Sequence, residues 1–151
     1  IAGLPHDSVK MSVFVQQSIN ADLSGVLVTI NPYDIAQKNS SYIAAKRGLG
    51  IRVVEGKRVA EQVVYNRRND SVQRLSSSNE TTALQLDKNG GVREVPVTNG
   101  NVMNQEQIRR LDQTGQQIKQ LFANGEQDIE WAFDNGKLVI LQARPYLNGT
   151  R

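Results

Sequence analysis

Two stretches of alternating apolar and polar residues flank a turn near the end of this 151-residue chain, and they constrain its fold more than any other feature. Side chains of a β-strand alternate between its two faces, so residues 127–133 and 137–145 each match a strand. Gly136 supplies the left-handed backbone conformation that a tight turn needs. The sequence therefore predicts a β-hairpin over residues 127–145.

The length of the hairpin loop decides which side chains share a face. A two-residue loop, Asn135-Gly136, would shift the register by one residue and put the acids of one strand and the polar residues of the other on opposite faces. We therefore predict a three-residue loop, 134–136, which sets three cross-strand pairs: Phe133 with Lys137, Glu130 with Ile140, and Asp128 with Gln142. One face is then apolar and comprises Ile129, Trp131, Phe133, Val139, Leu141 and Ala143. The other face, called the polar face below, carries Asp128, Glu130, Gln142 and Arg144.

The polar face combines chemistry that suits a magnesium-nucleotide complex. Mg²⁺ takes oxygen ligands, commonly one or two carboxylates with phosphate oxygens, and an arginine can donate paired hydrogen bonds to a phosphate. Acids and arginines on the solvent side of a sheet also commonly form cross-strand salt bridges of little energetic consequence. Spacing alone leaves both interpretations open.

The rest of the chain predicts an α+β fold, an antiparallel β-sheet with packing helices. Short runs rich in β-branched residues predict strands at 11–17, 25–30, 42–45, 62–66, 71–75, 82–86 and 92–97. Asn104 is a suitable N-cap for a helix over 105–122, in which apolar residues recur at helical spacing. We expect that helix to pack over the sheet rather than to bind a partner.

Composition excludes several classes of site. The chain has no cysteine, so neither disulfides nor thiolate metal sites hold it together. Its formal net charge of +3 comes from scattered basic residues, without the basic and aromatic clustering of a nucleic-acid-binding protein. No apolar run approaches the length of a membrane span. We predict a cytoplasmic protein with neither a membrane nor a nucleic-acid partner.

Three segments carry a resemblance to a known family. DIEWAFDNGKLVILQARP at 128–145, VFVQQSINADLSGVLVTINP at 13–32 and GLG at 48–50 resemble the nucleotide-binding (PEP/pyruvate-binding, N-terminal) domain of phosphoenolpyruvate synthase and pyruvate phosphate dikinase. The same domain type occurs in rifampicin phosphotransferase and glucan water dikinase. The resemblance is strongest at the hairpin and weakest between about 60 and 100. It implies an ATP-grasp fold, in which two subdomains close on the nucleotide.

The resemblance also implies roles for the polar face. Glu130 and Gln142 would hold a Mg²⁺ that bridges the phosphates of ATP, and Asp128 would assist directly or through a water molecule. Arg144 would neutralise charge on the transferred phosphoryl group, so Glu130 and Arg144 are the expected catalytic residues.

Three further positions have an implied role near the nucleoside and a plainer alternative. Gln16 and Gln17 match a hinge that contacts adenine, although they could be a polar pair on an edge strand. Asp22 matches an acid near the ribose hydroxyls, although aspartate is also a common turn residue. The Gly48-Leu49-Gly50 turn could approach the nucleotide closely, or it could be only a turn.

The resemblance places this chain within a larger protein. Residues 1–151 are expected to form a single domain, the C-terminal part of an ATP-grasp fold excised from a multidomain protein and inactive by itself. The other ATP-grasp half and a phosphohistidine domain would be its partners, and the phosphoryl group of Mg-ATP would pass to a histidine on that domain. The final acceptor could be pyruvate, an antibiotic or a glucan.

Some residues depart from the family pattern on the nucleoside side of the site. Ser18 in the hinge, Arg47, Ile51 and Ala60-Glu61 stand where other residues are usual in the family. These departures leave a second hypothesis open, a non-catalytic nucleotide-sensing or scaffold module of the same fold.

Overall fold

The computed structural model describes residues 13–50 and 60–147, which form eight β-strands and one α-helix. The strands are β1 (Leu23–Val28), β2 (Ser40–Arg47), β3 (Glu61–Asn66), β4 (Ser71–Ser76), β5 (Thr82–Leu86), β6 (Val92–Pro96), β7 (Gln127–Asp134) and β8 (Lys137–Pro145); the helix is α1 (Gln105–Leu121). Every strand predicted after residue 17 is confirmed. The strand predicted over 11–17 is wrong, because residues 13–17 form no regular secondary structure; residues 11 and 12 lie outside the described ranges.

Six strands form one antiparallel sheet in the order β4-β3-β2-β1-β7-β8. Strands β5 and β6 pair separately, and we call this two-stranded unit the ribbon. An antiparallel sheet with a helix packed on it confirms the predicted α+β class. Packing helices were predicted in the plural, whereas the described ranges contain one.

Helix α1 covers one face of the sheet and closes the hydrophobic core. Its first turn has the predicted cap: Asn104 accepts a hydrogen bond from the Gln107 N–H, and the Gln107 side chain accepts one from the Asn104 N–H. A Cβ at Gly115 would lie 2.6 Å from Leu27 Cδ2, so the lack of a side chain there lets the helix approach β1 closely. The core comprises Leu27, Ile43, Ala45, Val63, Tyr65, Val102, Met103, Ile108, Leu111, Ile129, Trp131 and Phe133. Within the described ranges, no helix is both long and apolar enough to cross a membrane.

The β7–β8 hairpin turns through two residues, so the predicted three-residue loop is wrong. Asp134 pairs directly with Lys137, and between them Asn135 and Gly136 adopt φ values of 49° and 75°. Two successive positive φ values are typical of a type I′ turn, which Asn-Gly favours because both residues tolerate the left-handed conformation. The preference of Asn-Gly for a type I′ turn therefore decides the length of the loop. The prediction rested instead on keeping apolar and polar side chains on separate faces of the hairpin.

A β-bulge at Leu141 restores the polar face. Glu130 pairs with Gln142, but the next pair is Trp131 with Ile140, so Leu141 has no partner across the ladder. One extra residue in β8 shifts the register by one, which compensates for the shorter turn.

The turn and the bulge together correct the predicted pairs. The observed pairs are Phe133 with Leu138, Glu130 with Gln142, and Asp128 with Arg144. The four residues of the polar face still share one face, as predicted, because directly paired residues point to the same side of a sheet. On the core face, Leu138 and Ile140 take the places predicted for Val139 and Leu141.

The ribbon lies on the face of the sheet opposite to α1, the face that carries Glu130 and Gln142. Gly48, just after β2, forms a bridge with Leu84 in β5, and the Leu49 N–H donates to the Leu84 carbonyl at 2.8 Å. A buried ion pair of 3.6 Å between Lys46 and Glu80 adds a second link. The ribbon therefore becomes a wall of the cleft described below.

Candidate functional site

The polar face consists of two neighbouring cross-strand pairs, Asp128 with Arg144 and Glu130 with Gln142. Directly opposed residues have Cβ atoms about 4.5–5.5 Å apart, so the two side chains of each pair can reach a shared ligand. The structure thus brings together the four residues that the sequence placed on this face.

Glu130 and Gln142 place side-chain oxygen atoms on the polar face. Glu130 is half-buried and Gln142 is exposed, and within the described ranges neither side chain forms a hydrogen bond or an ion pair. A carboxylate and an amide oxygen are donors that Mg²⁺ accepts when phosphate oxygens complete its shell. No group of three or more His, Cys, Asp and Glu side chains in residues 13–50 and 60–147 could hold a metal.

Asp128 and Arg144 form the cross-strand salt bridge that the plainer interpretation expected. Arg144 Nη2 and Nε donate to Asp128 Oδ2 at 2.7 and 2.9 Å. Hydrogen bonding to Asp128 is the largest cause of a raised pKa of Arg144, and the negative charges of Asp128 and Glu130 raise it further. The guanidinium therefore stays protonated. The Arg144 side chain is 65% exposed, so the pair contributes little to stability and the cation remains accessible to a ligand.

A cleft of about 720 Å³ opens beside Glu130 and Gln142. Its volume is within the range of about 300–1,000 Å³ that is typical of small-molecule sites. Its walls come from the segment before β1, from β1, the turn after β2, the ribbon and the hairpin, and the apolar lining includes Ile19, Val26, Leu49, Leu86, Val92 and Leu141. Apolar walls combined with the side-chain oxygens of Glu130 and Gln142 suit a ligand that has a flat apolar part and a charged part.

Four of the predicted site residues line this cleft, namely Gln16, Gln17, Glu130 and Gln142. Asp128 and Arg144 lie one cross-strand pair further along the hairpin, beyond its lining. The segment that contains Gln16 and Gln17 thus reaches the same cleft as the oxygen donors although it is not a strand.

Asp22 is not among the lining residues. Its Oδ2 accepts a hydrogen bond of 2.7 Å from the Asn135 N–H, and its own N–H donates to the Phe133 carbonyl at 2.8 Å. Asp22 therefore caps the hairpin turn, about 13 Å along β7 from Glu130 at about 3.3 Å per residue. The turn interpretation is observed, and a role at the ribose stays a prediction.

The glycine turn makes a close backbone approach, but to the ribbon. Gly48 has a φ of 75°, and a Cβ there would lie 2.2 Å from the Leu84 carbonyl oxygen. Ser24 Oγ donates to the Gly48 carbonyl at 2.6 Å, while Leu49 and Gly50 line the cleft. The turn fixes the ribbon as a wall of the cleft.

Of the departures from the family pattern, Ser18 lines the cleft, whereas Arg47 and Ala60 lie away from its lining. Arg47 donates to the carbonyls of Gly100 and Asn101 at 3.3 and 2.9 Å. Ala60 is buried, and its carbonyl accepts a hydrogen bond of 2.8 Å from Ser76. Ile51 lies outside the described residues.

The start of β7 is fixed by a buried hydroxyl that the sequence did not single out. Thr29 Oγ1 accepts from the Gln127 N–H at 2.8 Å and donates to the Glu126 carboxylate at 2.6 Å. Lys119, near the end of α1, donates to the same carboxylate. These contacts hold the strand immediately before Asp128.

Leu141 and the ribbon residues of the cleft were also missed. Leu141 was predicted on the core face, but the bulge turns it into the cleft wall beside Glu130. The Asn-Gly dipeptide, which favours a two-residue turn, was the available signal for this change. Nothing local in the sequence indicated that Leu86 and Val92 would face the hairpin.

Comparisons with known proteins show what this chain is similar to. The family described as "Pyruvate phosphate dikinase, AMP/ATP-binding domain" matches residues 2–150. A probable phosphoenolpyruvate synthase of Archaeoglobus fulgidus is 30% identical over 95% of this chain, and the phosphoenolpyruvate synthase of Pyrococcus furiosus is 31% identical over 95%. A rifampicin phosphotransferase of a Streptomyces species is 30% identical, again over 95% of the chain. The chain spans only 19%, 19% and 16% of these three relatives.

Proposed function

Because this chain belongs to the family of pyruvate phosphate dikinase AMP/ATP-binding domains, we propose that it binds Mg²⁺-ATP in the cleft as the ATP-binding part of a phosphotransferase. The observation that carries the proposal is that Glu130 and Gln142, whose side chains have no hydrogen-bond or ion-pair partner within the described residues, pair across the hairpin and line a cleft with apolar walls. The adenine ring would bind among the apolar residues and the phosphates would bind toward the hairpin.

Each residue of the polar face has a separate task in this proposal. Glu130 and Gln142 hold Mg²⁺, which when bound offsets the negative charge of the phosphate oxygens. Asp128 orients Arg144 through their two hydrogen bonds and assists the metal directly or through a water molecule. Arg144 donates hydrogen bonds to the transferred phosphoryl group and stabilises the charge that develops on it.

The nucleoside would be held by the remaining walls. Gln16 and Gln17 offer backbone and side-chain groups to the adenine edge, since both line the cleft. Leu141 and Val26 would contact the faces of the ring, because Leu141 in β8 and Val26 in β1 supply apolar surface to the cleft. Asp22 would serve the ribose only if the nucleotide extends toward the hairpin turn.

The activity of the whole protein is a wider proposal. We propose that residues 1–151 are one subdomain of an ATP-grasp fold in a cytoplasmic enzyme, and that the phosphoryl group passes to a histidine on another domain. The related phosphoenolpyruvate synthases favour pyruvate chemistry, and the rifampicin phosphotransferase relatives favour an antibiotic acceptor as the alternative. This chain alone would be inactive, because it contains neither the other ATP-grasp half nor the phosphohistidine domain.

Labelled ATP tests the assigned roles in the longer protein. We expect wild-type protein to form an acid-labile phosphohistidine, and Arg144→Gln and Glu130→Gln to lower its rate of formation by about 100-fold or more. Glu106→Gln is the matched control, because Glu106 is exposed on α1 and away from the cleft. Circular dichroism would verify that the variants are folded.

Two results would contradict the proposal in different ways. Unchanged phosphorylation in Arg144→Gln would refute the role of the arginine. Binding of Mg²⁺-ATP by the wild-type protein without any phosphohistidine would favour the non-catalytic module.

A further inference from the structure

The side chain of Asn20 connects two walls of the cleft, although Asn20 is not among the lining residues. It lies in the segment before β1, and its neighbours Ile19 and Ala21 both line the cleft. Its Oδ1 accepts a hydrogen bond of 3.0 Å from the N–H of Leu86, a ribbon residue that also lines the cleft. One exposed side chain therefore joins the segment before β1 to the ribbon.

This hydrogen bond satisfies a backbone donor that points away from the ribbon. In an antiparallel pair, the N–H and C=O groups of alternate residues point away from the partner strand. Leu84 and Leu86 are such residues of β5: the Leu84 carbonyl accepts from the Leu49 N–H at 2.8 Å, and the Leu86 N–H donates to Asn20. The turn after β2 therefore holds the base of the ribbon, and Asn20 holds β5 closer to the turn of the ribbon.

The position of Leu86 also determines the position of the second strand of the ribbon. Leu86 pairs with Val92, which lines the cleft and is 49% exposed. Next to this pair, the Asp87 N–H donates to the Gly91 carbonyl at 3.0 Å, so the turn is stabilised by a hydrogen bond of its own. The turn and Val92 should therefore move together with Leu86, to which Asn20 is bonded.

We propose that Asn20 is a positioning residue, which holds Leu86 and Val92 against the nucleoside of a bound nucleotide. This inference rests on the proposed function, in which the adenine ring binds among the apolar residues of the cleft. Leu86 and Val92 supply apolar surface and no charge, so they favour binding of the nucleoside and not of the phosphates. Asn20 acts through the ribbon, without touching the ligand.

Titration of the longer protein with Mg²⁺-ATP and, separately, with Mg²⁺-tripolyphosphate tests this role. We expect Asn20→Ala to weaken binding of Mg²⁺-ATP by about three- to tenfold, because a hydrogen bond that holds the ribbon is lost. Binding of tripolyphosphate, which lacks a nucleoside, should be unchanged. Asn66→Ala is the matched control, because the Asn66 side chain accepts the Arg68 N–H at 2.9 Å and Asn66 does not line the cleft.

Hydrogen exchange of the same proteins without nucleotide measures the bond itself. The Leu86 amide should exchange about three- to tenfold faster in Asn20→Ala than in the wild type. Asn20→Asp keeps an oxygen at the accepting position, so it should retain the wild-type exchange rate at Leu86. Faster exchange at Leu86 in Asn20→Asp would contradict the role of the Asn20 oxygen, whether or not Asn20→Ala folds.

The binding results separate this inference from the proposed function. Equal binding of Mg²⁺-ATP by the wild type and Asn20→Ala would overturn the inference and leave the proposed function standing. Equal weakening of ATP and tripolyphosphate binding would also overturn it, because the ribbon would then not act on the nucleoside. No binding of ATP by the wild type would refute the proposed function and, with it, this role of Asn20.

Discussion

Replacement of Gly48 by alanine should destabilise the protein more than the same replacement at Gly136. The two glycines have the same φ of 75°, so an alanine would suffer the same left-handed strain at both positions. They differ in their surroundings. A Cβ at Gly48 would lie 2.2 Å from the Leu84 carbonyl oxygen, whereas nothing lies within 4 Å of a Cβ at Gly136.

The expected magnitude follows from these two terms. A non-glycine residue in the left-handed region costs about 1–2 kcal/mol, and this cost applies to both variants. Overlap with backbone atoms adds about 1–3 kcal/mol at Gly48 alone, since the Leu84 carbonyl cannot rotate away as a flexible side chain could. The reduced freedom of the unfolded chain affects both variants alike and cancels in the comparison. Gly48→Ala should therefore lower the free energy of unfolding by about 1–3 kcal/mol more than Gly136→Ala.

Urea denaturation of the two variants measures this difference. With a slope of about 2 kcal/mol per molar urea, the midpoint of Gly48→Ala should lie about 0.5–1.5 M below that of Gly136→Ala. We also expect weaker nucleotide binding in Gly48→Ala only, because the overlap would push the ribbon away from the cleft. Equal midpoints would refute the close packing of the glycine turn against the ribbon.

Three other substitutions test the contacts that hold the fold. Thr29→Val removes the buried acceptor of the Gln127 N–H and should lower the free energy of unfolding by about 1–3 kcal/mol in urea; an unchanged value would show that this bond does not anchor β7. Asn104→Ala removes the N-cap of α1 and should cost about 0.5–2 kcal/mol, visible in thermal unfolding, whereas no shift would contradict the capping role. A hydrogen bond from Arg109, followed by one from Tyr65, lowers the pKa of Asp70 below its unfolded value of about 3.9, so this stabilisation is present above that value and is lost as the pH falls through the folded pKa. Arg109→Gln should raise the pKa of Asp70 toward 3.9 in an NMR titration, and an unchanged pKa would contradict this cause.

Local patterns in the sequence were sufficient to predict most of the secondary structure. The capping residue Asn104 and the apolar spacing after it fixed the start of α1, because a cap and a helical stripe act within a few residues of each other. The strand predicted at 82–86 coincides with β5, because the residues that favour it also lie next to one another in the sequence. These signals depend on neighbouring residues and not on the rest of the fold.

The register of the hairpin could not be predicted in the same way. Asn135 and Gly136 favour a two-residue turn, while the oxygen donors of β7 and β8 share a face only if the register shifts by one residue between the turn and the donors. The structure satisfies both requirements through the bulge at Leu141, which neither requirement indicates when it is considered alone. The composition of the polar face was predicted correctly, but its cross-strand pairs were not.

Contacts between segments that are distant in the chain could also not be predicted from the sequence. Asp22 was assigned from the resemblance, but its carboxylate accepts the Asn135 N–H, more than a hundred residues further along the chain. Residues 13–17 have the alternation of a strand, yet a strand needs a neighbour for its backbone groups, and the described residues provide none. Pairing is a property of the whole fold, so alternation alone could not decide it.

The most direct test of a magnesium-ATP site is calorimetric titration of the longer protein with ATP, with and without Mg²⁺, in the wild type, Glu130→Gln and the control Glu106→Gln. If Glu130 binds the metal, Mg²⁺ should tighten ATP binding in the wild type and in the control. This enhancement should fall by about tenfold or more in Glu130→Gln, while metal-free ATP binding stays the same. An equal Mg²⁺ enhancement in all three proteins would contradict the proposed site.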